Sequence, residues 1–462
     1  MKRLCGMNQW FLFAIIAIFP VAVIIRGIQQ NFILRGIYNF RKELKHTKVK
    51  SRPPKIEPKD ATFLGVAPNK RPVLVRDSMK HMLVAGTTGA GKTVALSNFI
   101  KCAVEKDYPL LVIDGKGDTG AGSLYDICKR FKGNKKLYVI NLNNPEKSDK
   151  YNPFHATNPT IIKDMLINMS EWSEDHYKLN TERYLQRVAT VLSQFNTEIS
   201  LKTIVKCMDI DTFKRASVEL LKKQAISKQQ HIDNMSLAET SGQVASGAVA
   251  RFSNIAESHL GQIFSSKGTD IYSALKENAI ILFVLNPLLY PEISPAIGKL
   301  ALIDAKKAVA NFYEKNNRRV FFILDEIASY ASLSLLDLVN KARSANITNI
   351  LATQSISDLD AVSSEFKEQI IEYCNNYLVM RQNSATSAET WSQILGTRNT
   401  MEVTYQLQQK NLDTSSTGFG SARRVREFLY HPDEIKQLSI GKGIFMSKDD
   451  EYHTKISVNK PF

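Results

Sequence analysis

Residues His81–Ile100 read HMLVAGTTGAGKTVALSNFI. Inside this stretch, Gly86, Thr87, Thr88, Gly89, Ala90, Gly91, Lys92 and Thr93 match the phosphate-loop pattern GxxxxGK[ST]. The physical reason for the pattern is backbone access. Glycines let successive N–H groups turn inward around phosphate oxygens, lysine reaches the β- and γ-phosphates, and the hydroxyl after it ligates Mg2+. The flanks fit the motif. An apolar strand, Met82–Ala85, precedes it, and a helix beginning near Lys92 follows, with an N-terminus that favours anions. ATP and Mg2+ are therefore the expected ligands, with the cradle at Gly86–Thr93, catalytic charge at Lys92 and metal ligation at Thr93.

A P-loop needs a second acidic strand, and two stretches compete for that role. LVIDGKGD (Leu111–Asp118) and FFILDE (Phe321–Glu326) each end an apolar run in aspartate. Hydrolysis needs one acid for the metal and a second to polarise the attacking water. Asp325 is followed at once by Glu326, whereas Asp114 is followed by glycine. FFILDE is thus the Walker B strand, with Asp325 as metal ligand and Glu326 as catalytic base. LVIDGKGD reads either as a buried strand closed by a Gly-rich turn or as a support to that pair. Further on, KARSANITNILATQS (Lys341–Ser355) predicts a buried strand ending at Gln354, level with the phosphates. Arg343, eleven residues earlier, is a candidate to reach a neighbouring subunit's nucleotide; a plain surface arginine is the competing reading.

Apolar β-rich runs recur at Met82–Ala85, Leu110–Asp114, Leu137–Leu142, Ile280–Leu285, Val320–Asp325, Asn349–Gln354 and Tyr377–Arg381, with helical patterns between most of them. This alternation predicts an α/β fold of RecA-like P-loop type, with a mostly parallel sheet covered on both faces. Ligands then gather at the C-terminal strand edge. Between about 157 and 261 only helical periodicity appears, as in His176–Phe195 and Asp211–Ile226, so an all-helical domain is inserted there. Lys222–His231 reads as a solvated face, and Ser241–Ile255 as the route back to the sheet. Gly441–Val458 predicts a terminal hairpin around Lys448–Asp450.

The first 60 residues differ in character. Trp10–Ile25, WFLFAIIAIFPVAVII, carries no charge and predicts one transmembrane helix. Residues 1–60 hold twelve Lys/Arg against three acids, so most of the net charge of +16 sits around that segment. The basic run after the span places the body in the cytoplasm by the positive-inside rule. The expected organisation is a membrane anchor at 1–30, a basic juxtamembrane linker at 31–60, a nucleotide-binding domain at 61–156 and 262–462, and the helical insertion at 157–261. The five cysteines lack CxxC or metal-ligand spacing, which fits a reducing compartment.

Taken together these pieces resemble the coupling-protein ATPases of conjugative type IV secretion (TraG/TraD type), within the FtsK/HerA-like motors. The resemblance rests on VAGTTGAGKT, the D-x-K-G-[DE] pattern in DGKGD, YNPF (Tyr151–Phe154), LDEIASY, the Arg343–Gln354 segment, SAETWSQILGT and REFLYHPDEIKQLSIGKG. It implies a homo-hexameric ring at the inner membrane. ATP hydrolysis would drive single-stranded plasmid DNA, attached to its relaxase, toward the other proteins of the secretion channel. It also implies roles for Lys92, Thr93, Asp325, Glu326, Gln354 and a trans-acting Arg343. Two features depart from the family pattern. Many members have a second membrane helix, for which Gly27–Phe40 is too polar, and some carry a long C-terminal tail, so cargo recognition is expected elsewhere in this chain. Two other functions share the motifs: a nucleotide-switched membrane receptor that docks cargo without pumping, and an FtsK-type chromosome translocase.

Overall fold

The computed structural model describes residues 26–28, 51–170, 172–195, 198–313, 318–410 and 413–462. The expected membrane anchor, Trp10–Ile25, lies outside them. Among the described residues no helix is long and apolar enough to cross a membrane. The contacts divide the chain into two compact units. One comprises Arg52–Thr390 with Pro432–Phe462, and the described part of the other is essentially Trp391–His431.

The first unit is built on an eleven-stranded sheet. In chain order its strands are β1 (Ala61–Val66), β2 (Pro72–Arg76), β3 (Met82–Ala85), β4 (Leu110–Asp114), β5 (Leu137–Asn141), β6 (Ile280–Val284), β7 (Val320–Asp325), β8 (Ile347–Thr353) and β9 (Asn376–Met380). After β10 (Thr397–Lys410) and β11 (Asp413–Phe428), which belong to the second unit, come β12 (Lys442–Ser447) and β13 (Tyr452–Val458). The spatial order is β2-β1-β13-β12-β9-β3-β8-β7-β4-β6-β5. The seven strands from β9 to β5 are parallel, and they are the seven apolar runs expected from the sequence. Every residue of β3, β4, β6, β7, β8 and β9 is buried, as parallel strands covered on both faces require. On one face the helix Lys92–Glu105 sets Leu96, Phe99 and Ile100 against Val84, Val112, Phe321 and Ile350.

The sheet is not wholly parallel. β12 and β13 form the expected terminal hairpin, β12 adds antiparallel to β9, and β13 pairs with β1. Asp449 and Asp450 of its turn hold Lys80 and Arg76, tying the C-terminal hairpin to the segment before the phosphate loop.

Between Pro159 and Gln262 every element among the described residues is helical. Short polar caps set the breaks: Asn158 accepts from Ile161 N, Ser200 and Ser227 form capping boxes, and Asp209 accepts from Thr212 N. Tyr184, Val188, Ile204, Phe213 and Phe252 are buried among them, with the Tyr184 and Phe213 rings edge to face at 5.3 Å. Lys222–His231 runs from the end of the helix Ile210–Lys222 through a short connection, with Gln224 at φ 54, into the first turn of the helix Lys228–Leu237. Ser241–Ile255 was expected to lead back to the sheet; instead it ends a π-helical turn (Ala238–Gly242) and forms the helix Ser246–Ala256. Its small residues allow close packing: a Cβ on Gly242 would lie 3.2 Å from the Tyr184 ring.

The second unit contains a hairpin of β10 (Thr397–Lys410) and β11 (Asp413–Phe428), paired from Thr397↔Phe428 to Lys410↔Asp413. It is not among the strands expected from the sequence.

Candidate nucleotide site

The parallel strands bring the motifs to one edge. Ala85, the residue before the loop, pairs with Thr353 on one side and Val379 on the other. Gly86 N donates to Thr353 O (3.3 Å) and Thr87 N to Arg381 O (2.9 Å), which anchors the start of the loop to both neighbours. Gly89 (φ 74) and Gly91 (φ 110) adopt backbone conformations open to glycine. A Cβ on Gly86 would come within 2.8 Å of Met380 Cβ, so that position needs glycine for space instead. The loop then feeds the helix Lys92–Glu105, with Thr93 half-buried in its first turn.

Lys92 Nζ is buried and donates to Gly86 O at 2.6 Å, curling back over the loop. It also lies 3.6 Å from Glu326 Oε1. Asp325 ends β7 and Glu326 follows it, both at most 9% exposed. Glu326 sits in the left-handed region (φ 50), a strained conformation for this residue, held by Ser329 Oγ donating to Glu326 O (2.8 Å) and Tyr330 OH donating to Asp325 O (2.9 Å). Its Oε1 accepts no hydrogen bond. Gln354 follows β8, and its Oε1 accepts from Thr88 Oγ1 at 3.0 Å. Lys92, Thr93, Asp325, Glu326 and Gln354 thus share the C-terminal edge of the sheet with Gly86–Gly91.

Arg343 is not brought to this edge. It is exposed, in a 3-10 turn before β8. The seven residues of β8 separate it from Gln354, a span of roughly 23 Å.

The role of LVIDGKGD was left open by the sequence. In register, Asp114 lies opposite Asp325 on the adjacent strand. Asp114 Oδ1 accepts from Lys116 N (2.9 Å), and Lys116 Nζ reaches 3.3 Å from Glu326 Oε1 and 4.0 Å from Asp325 Oδ2. The segment after β9 was also missed: Asn383 Nδ2 donates to Thr87 Oγ1 (3.4 Å), and Gln382 Nε2 to Gln354 O (3.4 Å). The only signal for it was the end of the predicted strand at Arg381.

Burial governs the electrostatics. It pushes the Asp114 carboxyl up to about 7, with the Asp325 charge adding to the effect. It raises Asp325 too, against the pull of Lys116. Lys92 is lowered by burial, which outweighs the attraction of Glu326. Lys116 is less enclosed; burial pulls it down, but Asp325 and Glu326 outweigh that and raise it. Lys92 and Lys116 therefore face the buried acids Asp114, Asp325 and Glu326. The arrangement fits a magnesium nucleotide: an inward-facing glycine loop for phosphates, Thr93 and Asp325 as oxygen ligands for a hard cation, and the Lys92 ammonium beside them.

The conjugative coupling protein TrwBdeltaN70, in an unbound form, superposes with a TM-score of 0.64 at 18% identity, over 91% of this chain and 92% of that one. The plasmid coupling protein TrwB in complex with ADP and Mg2+ gives 0.62 at 17% identity, with the same shares of the two chains covered. VirB4 of Thermoanaerobacter pseudethanolicus gives 0.57 at 13% identity, over 88% and 98%. At these identities the likeness is one of fold. An uncharacterized protein of Mycoplasma pneumoniae is 28% identical over 101 residues, 22% of this chain and 67% of that protein, and a second is 44% identical over 39 residues, 8% and 32%. The family of type IV secretion-system coupling proteins matches, through its DNA-binding domain, residues 69–459. That match spans most of the chain, and the chain belongs to the type IV secretion-system coupling protein family.

Proposed function

We propose that this chain is an ATP hydrolase that drives single-stranded DNA, with its attached relaxase, into a type IV secretion channel, working as a homo-hexameric ring held at the inner membrane by Trp10–Ile25. The observation that carries the reading is the convergence of Lys92, Glu326 and Gln354 on one strand edge around a glycine loop. Family membership supports the cargo class, and the ADP–Mg2+ complex of the similarly folded TrwB supports the ligand.

In this mechanism Lys92 leaves the Gly86 carbonyl for the β- and γ-phosphate oxygens. Thr93 and Asp325 would hold Mg2+, which when bound would supply positive charge against the phosphates. Glu326 takes a proton from the attacking water, and Gln354, released from Thr88, contacts the γ-phosphate. Arg343 serves the nucleotide of the neighbouring subunit.

The test is ATP turnover of the full chain with and without single-stranded DNA. We expect stimulation by DNA. We also expect a loss of about 100-fold or more in Glu326→Gln with nucleotide binding retained, and loss of binding in Lys92→Ala. Turnover indifferent to DNA across a salt series would sink the motor. DNA transfer supported by Glu326→Gln but not by Lys92→Ala would replace the motor with a nucleotide-switched receptor.

A further inference from the structure

The DGKGD turn is built to aim one side chain. Gly115 N donates to Asp325 O (3.3 Å), and a Cβ there would meet Ser329 Oγ at 2.6 Å. Asp114 Oδ1 accepts from Lys116 N at 2.9 Å and Gly117 N at 3.4 Å. Gly117 has φ 72, and a Cβ on it would overlap Leu285 O at 1.8 Å. Asn143 Nδ2 donates to Gly117 O at 2.6 Å. Both glycines are therefore required by space, and the backbone of Lys116 is fixed from both sides. Its ammonium is delivered to the end of β7, 3.3 Å from Glu326 Oε1.

Glu326 has two cationic neighbours, Lys92 and Lys116. They are not equivalent once the nucleotide site of the preceding subsection is filled, because phosphate then claims Lys92. A buried carboxylate that loses its counter-charge is costly and poorly held. On the strength of that proposed site, we propose that Lys116 is a positioning residue: it keeps the Glu326 carboxylate aimed when Lys92 turns to phosphate.

Two measurements on the full chain test this. The first is a thermal double-mutant cycle without nucleotide, using Lys116→Met in the wild-type and Glu326→Gln backgrounds. A lysine acting through Glu326 gives a loss of about 2 °C or more in the wild type and less than about half of that loss in the Glu326→Gln background. A lysine that merely packs loses the same in both. The second is steady-state ATP turnover. We expect Lys116→Met to lower kcat by about 30-fold or more while KM for ATP stays within about 3-fold, and Lys116→Arg to recover at least about a third of the wild-type rate. Equal thermal losses, an unchanged kcat, or a raised KM at unchanged kcat would overturn the proposal. If the wild-type chain hydrolyses no ATP, the proposed function fails, and the thermal cycle alone still decides whether Lys116 acts through Glu326.

Discussion

At pH 7 the ring of His81 is neutral, because burial pushes its pKa down to about 4 and the nearby Arg343 charge adds to the shift. Its Nδ1 accepts from Asn349 N at 3.1 Å, so the histidine acts as a fixed acceptor between β3 and β8, at the edge opposite the nucleotide. The unfolded chain holds the ordinary value of 6.5. Between pH 6.5 and 4 the unfolded state therefore binds more protons, and stability falls as pH falls. From pH 7 to pH 5 this single group removes about 2 kcal/mol. His81→Asn, which tolerates the positive φ of 43, is expected to be less stable at pH 7 and to lose about 2 kcal/mol less on going to pH 5. Urea unfolding at the two pH values measures it, and an unchanged pH slope would show that His81 is not the group responsible.

At the scale of elements, YNPF turns from a family signature into a joint. Tyr151 N and Asn152 N donate to Ile263 O and Thr269 O, where the chain enters and leaves the helices. Tyr151 OH donates to Asp304 Oδ2 (3.0 Å) on the long helix Ile293–Phe312. Lys307, one turn on, pairs with Asp304 (3.0 Å) and Asp270 (2.8 Å) and donates to Pro153 O (2.8 Å). Lys307→Met strands two buried acids and should cost about 3–5 kcal/mol, whereas Tyr151→Phe removes one hydrogen bond and should cost about 1–3 kcal/mol. Burial already lifts Asp304 to about 6 against the pull of Lys307. Protonation at pH 5 should therefore shrink the Lys307→Met deficit, and chemical denaturation at pH 7.5 and 5 checks both the order of the two variants and this convergence. This network could not be read from the sequence, because Tyr151–Pro153 lie more than a hundred residues from Asp270, Asp304 and Lys307. The same separation explains part of what else was missed. The seven parallel strands were legible as continuous apolar runs. By contrast β1 shows Phe63 and Val66 to solvent, and it joins the sheet by pairing with β2 and with β13 near the far end of the chain. β10 does alternate, at Met401, Val403, Tyr405 and Leu407, a strand signal masked by the polar residues around it, whereas β11 is rich in Ser, Thr, Gly and Arg and carries no such pattern. At the site, Lys92 and the Asp325–Glu326 pair were legible from local spacing. Lys116 was not, because its target depends on Asp114 lying opposite Asp325.

At the scale of the whole molecule, the question is what Arg343 serves. Its place before β8, at the opposite end from Gln354, separates it from its own phosphate loop by the length of a strand. An arginine so placed contributes to hydrolysis only if a second copy presents its nucleotide edge to it, as in a closed ring of head-to-tail contacts. The proposed ring therefore makes a quantitative demand. Arg343→Ala keeps an intact site of its own but offers nothing to its neighbour. Glu326→Gln has a dead site but still offers Arg343. Each alone should lose about 100-fold or more of the DNA-stimulated turnover. Mixed in equal amounts and allowed to exchange subunits, about one interface in four pairs an intact site with an intact arginine, so turnover should return to about a quarter of wild type. A mixture no more active than its parts, with mixed rings demonstrated by differential tagging, would mean that Arg343 does not act across the interface. Activity of Arg343→Ala alone near the wild-type level would reduce it to a surface residue, and the trans-acting arginine would have to be sought elsewhere on the chain.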